Sequence, residues 1–250
     1  PGRYWIYAVI DDGYNRPYSD YAPAPINILS GTESVEFGVF MLSSFGDIFS
    51  LGKVNNGFGG IQSAPTPDYR NIVVSNDGRT LIRLRKDGKI DQYGQQKVVL
   101  TPLPQPMGEY IDIEFTPGER GLWVLDSYGS LAVIGDATPF LQGMGAMGMF
   151  GLPIARDFEP TQDGRGGYIL DGMGGVHAVG NAIGFNEFPF FGFDIARDIE
   201  MDSLGAYVLD GFGTIYPLGR SESLSPGVEF DTDIARDMIL FEKGGFYILD

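Results

Sequence analysis

The sequence predicts an all-β protein, and three observations support this prediction. The chain of 250 residues contains 37 glycines and 16 prolines, an excess that is typical of strands joined by tight turns. Short apolar runs of strand length alternate with these turn residues. A pattern bounded by two glycines also recurs at nearly regular intervals. Together these observations exclude an all-helical fold.

The recurring pattern is seven residues long: a glycine, any residue, an apolar residue, two of any kind, a residue that is usually apolar, and a second glycine. Its first glycines are about 42 residues apart on average, and it occurs five times, at 46–52, 88–94, 129–135, 174–180 and 213–219. An apolar run ends three residues before each first glycine. Two such runs joined by a turn such as Asp-Gly-Phe-Gly predict a β-hairpin, in which the glycine adopts positive φ.

A third run precedes each hairpin by about 13 residues. Three copies carry an Arg-Asp pair, at 154–157, 195–198 and 234–237, and weaker copies lie at 69–72 and 110–113. A stretch rich in Gly, Pro and Phe adds room for a fourth strand. A four-stranded unit of about 40 residues is typical of a β-propeller blade, and six such units match the length of the chain. The sequence therefore predicts a propeller of six four-stranded blades.

The last blade would have only two strands of its own. Its first two strands are expected at 234–241 and 246–250, and the N-terminal run Gly2–Ile10 is expected to complete it. Pro25–Ser30 would then be the first strand of the first blade. This divides the chain into 1–26, which closes the ring, and 27–250, the propeller. Because the sequence begins with Pro1, we expect it to be processed or excised from a longer chain.

The repeats resemble those of bacterial secreted or surface β-propeller proteins and, more distantly, NHL-type six-bladed propellers. The resemblance rests on the Arg-Asp strand, the strand that ends in Leu-Asp-Gly and the strand bounded by glycines, and it is strongest from residue 109 onward. Ser43 and Arg85 depart from it, since later repeats have Asp at that position. The resemblance implies an extracellular binding or scaffolding role and carries no catalytic motif.

The N-terminal segment also supports a competing interpretation. Residues 4–25 resemble the last strands of a fibronectin-like or immunoglobulin-like domain. Residues 1–26 would then be the remnant of a preceding β-sandwich, and the ring would stay open at residue 250.

The Arg-Asp pairs are the most conspicuous polar residues. Consecutive strand residues point to opposite faces, so the Arg and the Asp of one pair are expected to contact different neighbouring blades. Each Arg would meet an Asp across a blade boundary, because charges in an apolar strand need partners. The predicted inter-blade residues are Arg156, Asp157, Arg197, Asp198, Arg236 and Asp237. The alternative is a polar ring that lines the central channel and holds a ligand or a cation.

Two segments between repeats are unusually apolar for loops. They are expected either to cover the propeller edge or to form a surface for self-association or a protein partner. The candidate association residues are Met144, Met147, Met149, Phe150, Phe185, Phe188, Phe190 and Phe191.

Signals for chemistry are weak. His177 is the lone histidine, no thiol is present, and no nucleophile or phosphate-loop motif occurs. We expect no cofactor and no metal, with calcium at 76–78 or 163–166 as the alternative, although neither loop has calcium-loop spacing. The aspartates that end the second strands, such as Asp171 and Asp210, are expected to accept backbone N–H groups at turns.

Composition limits the partners. A net charge of −16 argues against nucleic acid, and no apolar stretch predicts membrane insertion. We therefore predict a non-catalytic structural or interaction module outside the cell or on its surface, able to self-assemble into a filament. The alternatives are a carbohydrate-binding propeller and a glycoside hydrolase or lyase with carboxylates in its channel. Sugar-stacking candidates are Trp5, Trp123, Tyr128 and Phe212.

Overall fold

In the computed structural model of the chain, every described regular element is a β-strand. No helix among the described residues is long and apolar enough to cross a membrane. The structure describes residues 2–4, 7–10, 18–21, 26–28, 38–52, 58, 60–140, 148–224, 229–241 and 245–250. At residues 2–28, 51, 52, 241 and 245 this description covers the backbone only.

The N-terminal strands pair with one another. They are β1 (Gly2–Tyr4), β2 (Tyr7–Ile10), β3 (Tyr18–Tyr21) and β4 (Ile26–Ile28). β1 pairs with β4 and β2 with β3, both antiparallel.

These pairings differ from the closure that the sequence predicted. Among the described residues, Gly2–Ile10 does not pair with the last strand of the chain, and Ile26–Ile28 pairs with Gly2–Tyr4 rather than beginning the first blade. Nearby partners are reached by closing short loops, which costs less conformational entropy than joining the two ends of the chain.

From Gly38 onward the described strands form six successive antiparallel sheets. The first contains β5 (Gly38–Leu42) and β6 (Ile48–Gly52), and the last contains β19 (Asp237–Phe241) and β20 (Gly245–Leu249). The four sheets between them have three strands each, in chain order: β7 (Tyr69–Val74), β8 (Thr80–Arg85) and β9 (Ile90–Gly94); β10 (Tyr110–Phe115), β11 (Leu122–Asp126) and β12 (Leu131–Ile134); β13 (Ala155–Pro160), β14 (Gly166–Asp171) and β15 (Val176–Gly180); β16 (Ala196–Met201), β17 (Gly205–Asp210) and β18 (Ile215–Gly219).

The core lies between neighbouring sheets. The middle strands β11, β14 and β17 are buried along their whole length. In one cluster Leu170 of β14 packs with Ile199 and Val208 of the following sheet, so the apolar residues of each sheet cover those of the next. The first strands β7, β10, β13, β16 and β19 contact each other in that order. The prediction of an all-β fold built from repeated antiparallel sheets is therefore confirmed.

The predicted fourth strand is absent from the described connections. Residues 95–109 and 181–194 contain no strand, so the sheets they join have three strands rather than four. The apolar side chains of these segments pack onto the sheets as loops. Proline and glycine interrupt both segments, and neither continues a ladder of hydrogen bonds easily.

The first strands of the three-stranded sheets are not regular. Each has a β-bulge at its second residue: Arg70, Ile111, Arg156 and Arg197. A bulge inserts one unpaired residue, so the usual alternation of side chains is lost there. The prediction that the Arg and the Asp of one pair contact opposite neighbours depends on that alternation.

Candidate functional site

A cavity lies at the end of the sheets where the first strands begin. Its volume is about 1380 Å³. It is lined by β5, by the start of β7 and by the last sheet, together with the Arg-Asp pairs of β13 and β16. The cavity wall is therefore both apolar, from residues such as Phe40 and Leu249, and strongly charged.

The arginines bind carboxylates of the following sheet. Arg156 donates from Nε and Nη2 to Asp194, and Arg197 donates to Asp233 over 3.1 and 2.5 Å. Arg70 makes the same kind of contact with Glu109. These two-pronged pairs join successive sheets across their boundary.

The partners differ from those expected. The acids lie in the loop before the next first strand, not in the Arg-Asp pairs themselves.

The aspartates of the pairs bind backbone instead. Asp157 accepts the N–H of Ile199 over 2.9 Å, and Asp198 accepts the N–H of Met238 over 2.8 Å. Asp112 accepts the N–H of Phe158 in the same way. All three aspartates therefore bind the following sheet, and at Asp157 and Asp198 the neighbouring arginine contacts that same sheet. The prediction of opposite neighbours is wrong because the bulge turns both side chains the same way.

The last Arg-Asp pair faces the cavity. The side chain of Arg236 is 53% exposed, against 15% for that of Arg197. Arg236 contacts only its own segment, at Asp233 and Ala235, among the described residues. Asp237 is exposed, whereas Asp157 and Asp198 are buried. The pair thus keeps its local bonds but not the contacts to a following sheet.

A second row of acids lies on the same strands, two positions after the aspartates Asp112, Asp157 and Asp198. This row contains Glu114, Glu159 and Glu200, for which the sequence analysis predicted no role. Burial, followed by repulsion from nearby carboxylates, raises the pKa of Glu114 and Glu159 well above the usual value. The same causes raise the pKa of Glu200 to about 8. The missed signal was the repeated spacing of two residues after the aspartate, which continues the same face of the strand.

Burial and the surrounding acids also raise the pKa of the aspartates. The pKa of Asp112 and of Asp198 lies well above the usual value, with Asp157 as the first carboxylate that acts on each. Burial and mutual repulsion therefore favour the protonated, neutral form of these inner carboxyl groups.

The turn aspartates hold the hairpins. Asp171 accepts the N–H groups of Met173 and Gly175, and Asp210 makes the equivalent bonds in the next sheet. His177 Nε2 lies 2.7 Å from the carboxylate of Asp171, and Tyr216 donates to Asp210 at the matching position. A tyrosine makes this contact in the next sheet where His177 makes it here. The contact therefore stabilises the hairpin and does not require the chemistry of a histidine.

The structure offers no cluster of calcium ligands among the described residues at 76–78 or 163–166. Asp77 and Asp163 each accept the N–H two residues ahead, at Arg79 and Arg165, as turn-forming aspartates do. In the ranges that the structure describes, no group of three or more acidic or histidine side chains is arranged to hold a metal ion.

Four of the eight predicted association residues pack against the sheets. Phe150 contacts the ring of His177, Phe185 that of Tyr168, and Phe191 that of Tyr216, with ring centroids 4.9 to 5.2 Å apart. Met149 packs beside Phe150. Met144 and Met147 lie outside the described residues.

Two of the predicted residues are exposed. Phe188 is 40% exposed and Phe190 is 69% exposed. Ile183 and Phe193, at the ends of the same connection between β15 and β16, are exposed by 85% and 57%. We call residues 183–193 the aromatic segment.

The sugar-stacking candidates are less accessible than expected. Trp123 is 1% exposed, donates to the carbonyl of Thr138 and lies between Phe140 and Phe158. Tyr128 and Phe212 are half-buried at hairpin turns, and Trp5 lies outside the described residues. Trp123 is therefore a core residue and does not offer a face to a sugar.

Comparisons with known proteins give only distant likenesses, among solved structures. No protein-family model and no curated protein matches the chain. Among solved structures, a streptogramin B lyase is similar with a TM-score of 0.39 and 13% sequence identity. The match covers 99% of this chain and 86% of that chain. A likeness of this size transfers no residue role to the chain.

Proposed function

We propose that the chain is a non-catalytic interaction module that acts outside the cell and binds protein, in the first place a second copy of itself, through the aromatic segment. The observation that carries the proposal is the exposure of Phe190, at 69%, within a segment that is otherwise anchored. A large exposed aromatic ring on a fixed backbone is typical of a protein-binding surface.

Contacts on both sides of the exposed rings fix the segment. Tyr168 donates from its hydroxyl to the carbonyl of Ile183 over 2.8 Å. The N–H of Phe191 donates to the carbonyl of Met173 over 2.8 Å, and its ring packs on Tyr216. Phe188 and Phe190 are therefore presented by a backbone that is ordered before any partner arrives, which lowers the entropy cost of binding.

The roles of the polar residues support a non-catalytic module. The buried aspartates of the inner strands accept N–H groups of the next sheet, and the arginines bind loop carboxylates. Both sets of side chains are used to join sheets. The net charge of −16 and the absence of cysteine suit an exported protein and support the extracellular part of the proposal.

The experiment compares two pairs of substitutions. Phe188→Ser with Phe190→Ser removes the exposed rings, and we expect it to lower the mass of the assembly in light scattering while the free energy of unfolding is unchanged. Phe185→Ser with Phe191→Ser is the matched control, because it removes two packed rings of the same segment. The control is expected to lower the free energy of unfolding. An assembly mass that stays the same after the first pair would contradict the proposal.

A second candidate function follows from the inner acids. Raised carboxyl pKa values among clustered acids are also typical of acid catalysts such as those of glycoside hydrolases and lyases. A panel of polysaccharides tests this candidate. Cleavage that disappears in Glu159→Gln or Glu200→Gln, with the fold retained, would favour it over the interaction module.

A further inference from the structure

The connection between β9 and β10 presents a short proline-rich stretch at the surface, residues 99–107, which we call the proline segment. We infer that it is the partner of the aromatic segment, so that the prolines of one copy bind the exposed aromatic rings of a second copy. This inference rests on the proposed function and names the surface with which the aromatic segment associates.

The sequence of the proline segment restricts its backbone. Proline occupies every second position, at 102, 104 and 106, so each residue of 101–106 either is a proline or precedes one. Proline fixes φ at about −65°, and the residue before a proline is kept out of the helical region. Both restrictions favour an extended polyproline II helix, which has three residues per turn.

The burial of the segment has the same period of three. Leu100, Leu103 and Pro106 are half-buried, whereas the residues between them are exposed. Leu100 and Leu103 pack against the core cluster that contains Ile113 and Val124. One face of the polyproline helix therefore lies on the sheets, and its other two faces are open to solvent.

Hydrogen bonds fix the proline segment before any partner arrives. The hydroxyl of Tyr110 donates to the carbonyl of Pro104 over 2.9 Å, and the N–H of Met107 donates to the carboxylate of Asp126 over 3.4 Å. The exposed fraction is 81% at Val99 and 47% at Met107. An exposed polyproline helix that is already fixed loses little conformational freedom on binding, so it is a favourable ligand.

The aromatic segment offers the kind of surface that binds a polyproline helix, because such helices dock against aromatic rings. Phe188, Phe190 and Phe193 are exposed by 40%, 69% and 57%. With about 150 to 250 Å² for a whole aromatic side chain, their exposed parts amount to roughly 300 Å². Exposed apolar area of this size, within six residues of chain, is typical of a binding surface.

Charge favours contact at these two segments. The chain has a net charge of −16, so two copies repel each other at long range. No charged residue occurs in 98–108 or in 188–193. The two segments can therefore meet without placing acids opposite each other.

The two surfaces belong to different connections of the chain, since the proline segment joins β9 to β10 and the aromatic segment joins β15 to β16. Both are exposed in the same chain, so they do not cover each other within it. Contact between copies is therefore heterologous, and each copy uses one surface for the copy before it and the other for the copy after it. Such contacts propagate into a ring or a filament, whereas a pairing of two aromatic segments would stop at a dimer.

The test mixes two variants that each lack one surface. Pro102→Ser with Pro104→Ser removes exposed proline rings. Phe188→Ser with Phe190→Ser removes the exposed aromatic rings. In sedimentation, each variant alone is expected to have the mass of one chain, 27.3 kDa. An equal mixture is expected to form a species of twice this mass, because one intact surface of each kind remains. Pro65→Ser, at an exposed proline before β7, is the matched control and should assemble like wild type.

A synthetic peptide with the sequence of residues 99–107 gives a second measurement, which does not depend on the folding of a variant. Added in excess to the wild-type chain, the peptide is expected to occupy the aromatic segment and to lower the mass of the assembly. The same peptide with serine in place of its three prolines should leave the mass unchanged.

The results separate this inference from the proposed function. Loss of assembly in the aromatic variant but not in the proline variant would overturn the inference and leave the proposed function standing, because the aromatic segment would then bind another surface. A mixture without the dimer, or a peptide without effect, would also overturn the inference. An unchanged mass in the aromatic variant would contradict the proposed function, and the inference with it.

Discussion

At the scale of the residue, the inner aspartates link the sheets by accepting backbone hydrogen bonds. A buried N–H without an acceptor loses its bond to water and gains nothing in return. Asp112, Asp157 and Asp198 each remove this penalty for the following strand. The sequence predicted that Asp157 and Asp198 are structural and join repeats, but the choice of partner depended on a bulge that the residue pattern does not encode.

The prediction at this scale concerns Asp198. Asp198→Ala leaves the buried N–H of Met238 without its acceptor, so we expect a loss of about 1 to 3 kcal/mol in the free energy of unfolding, measured in urea. Asp198→Asn keeps an acceptor oxygen and should lose less. A loss below about 0.5 kcal/mol in the alanine variant, the scale of a surface substitution, would show that the bond does not join the sheets.

At the scale of the element, the hairpins are the part of the fold that the sequence predicts best. The first glycine of each pattern has positive φ, at Gly46, Gly88, Gly129, Gly174 and Gly213. Local turn chemistry requires this conformation, so the pattern reveals it directly. The fourth strand was not predictable in the same way, because the segments between sheets pack as loops through tertiary contacts such as Phe185 on Tyr168.

Gly174 gives the sharpest test of a hairpin. It has φ of +92°, and a Cβ there would lie 2.2 Å from the carbonyl oxygen of Pro189. Gly174→Ala is therefore expected to lower the free energy of unfolding by about 1 to 3 kcal/mol, through backbone strain and the clash. Gly184→Ala is the control, because its nearest neighbour is 3.9 Å away. Similar unfolding curves for both variants in urea would show that the turn is not built as described.

At the scale of the whole molecule, the junctions between sheets bring groups of like charge close together. The repeat spacing predicted a propeller-like chain, and the contacts between consecutive first strands agree with it. The same repetition places carboxyl groups of equivalent position next to each other along the inner strands. The cluster of acids therefore forms only when several repeats lie side by side. A single repeat contains just one glutamate of the second row, so its sequence alone does not predict the cluster.

This arrangement predicts how stability depends on pH. The pKa of Glu200 is raised from 4.5 to about 8. The folded chain therefore holds a proton that the unfolded chain releases, and stability falls as pH rises from about 4.5 to about 8. Glu200→Gln cannot lose this proton, so the variant should be more stable than wild type by about 1 to 2 kcal/mol above pH 8. Urea unfolding across this range measures the difference.

Inner acids such as Glu159 also have a raised pKa and contribute to the pH dependence of both proteins, so the difference between wild type and Glu200→Gln reports Glu200. Asp77 acts in a lower pH range. Hydrogen bonds, first from Ser75, lower the pKa of Asp77 to about 2, so its contribution is lost only as pH falls below its ordinary value of 3.8. An equal pH dependence in wild type and Glu200→Gln would contradict the placement of Glu200 among the inner acids.

The claim that the aromatic segment binds a second copy is tested most directly by hydrogen–deuterium exchange at low and high protein concentration. The account predicts that amides of residues 186–191 exchange more slowly at high concentration, while those of the buried strands β14 and β17 are equally protected at both. Protection that does not change with concentration, or that changes only outside this segment, would contradict it.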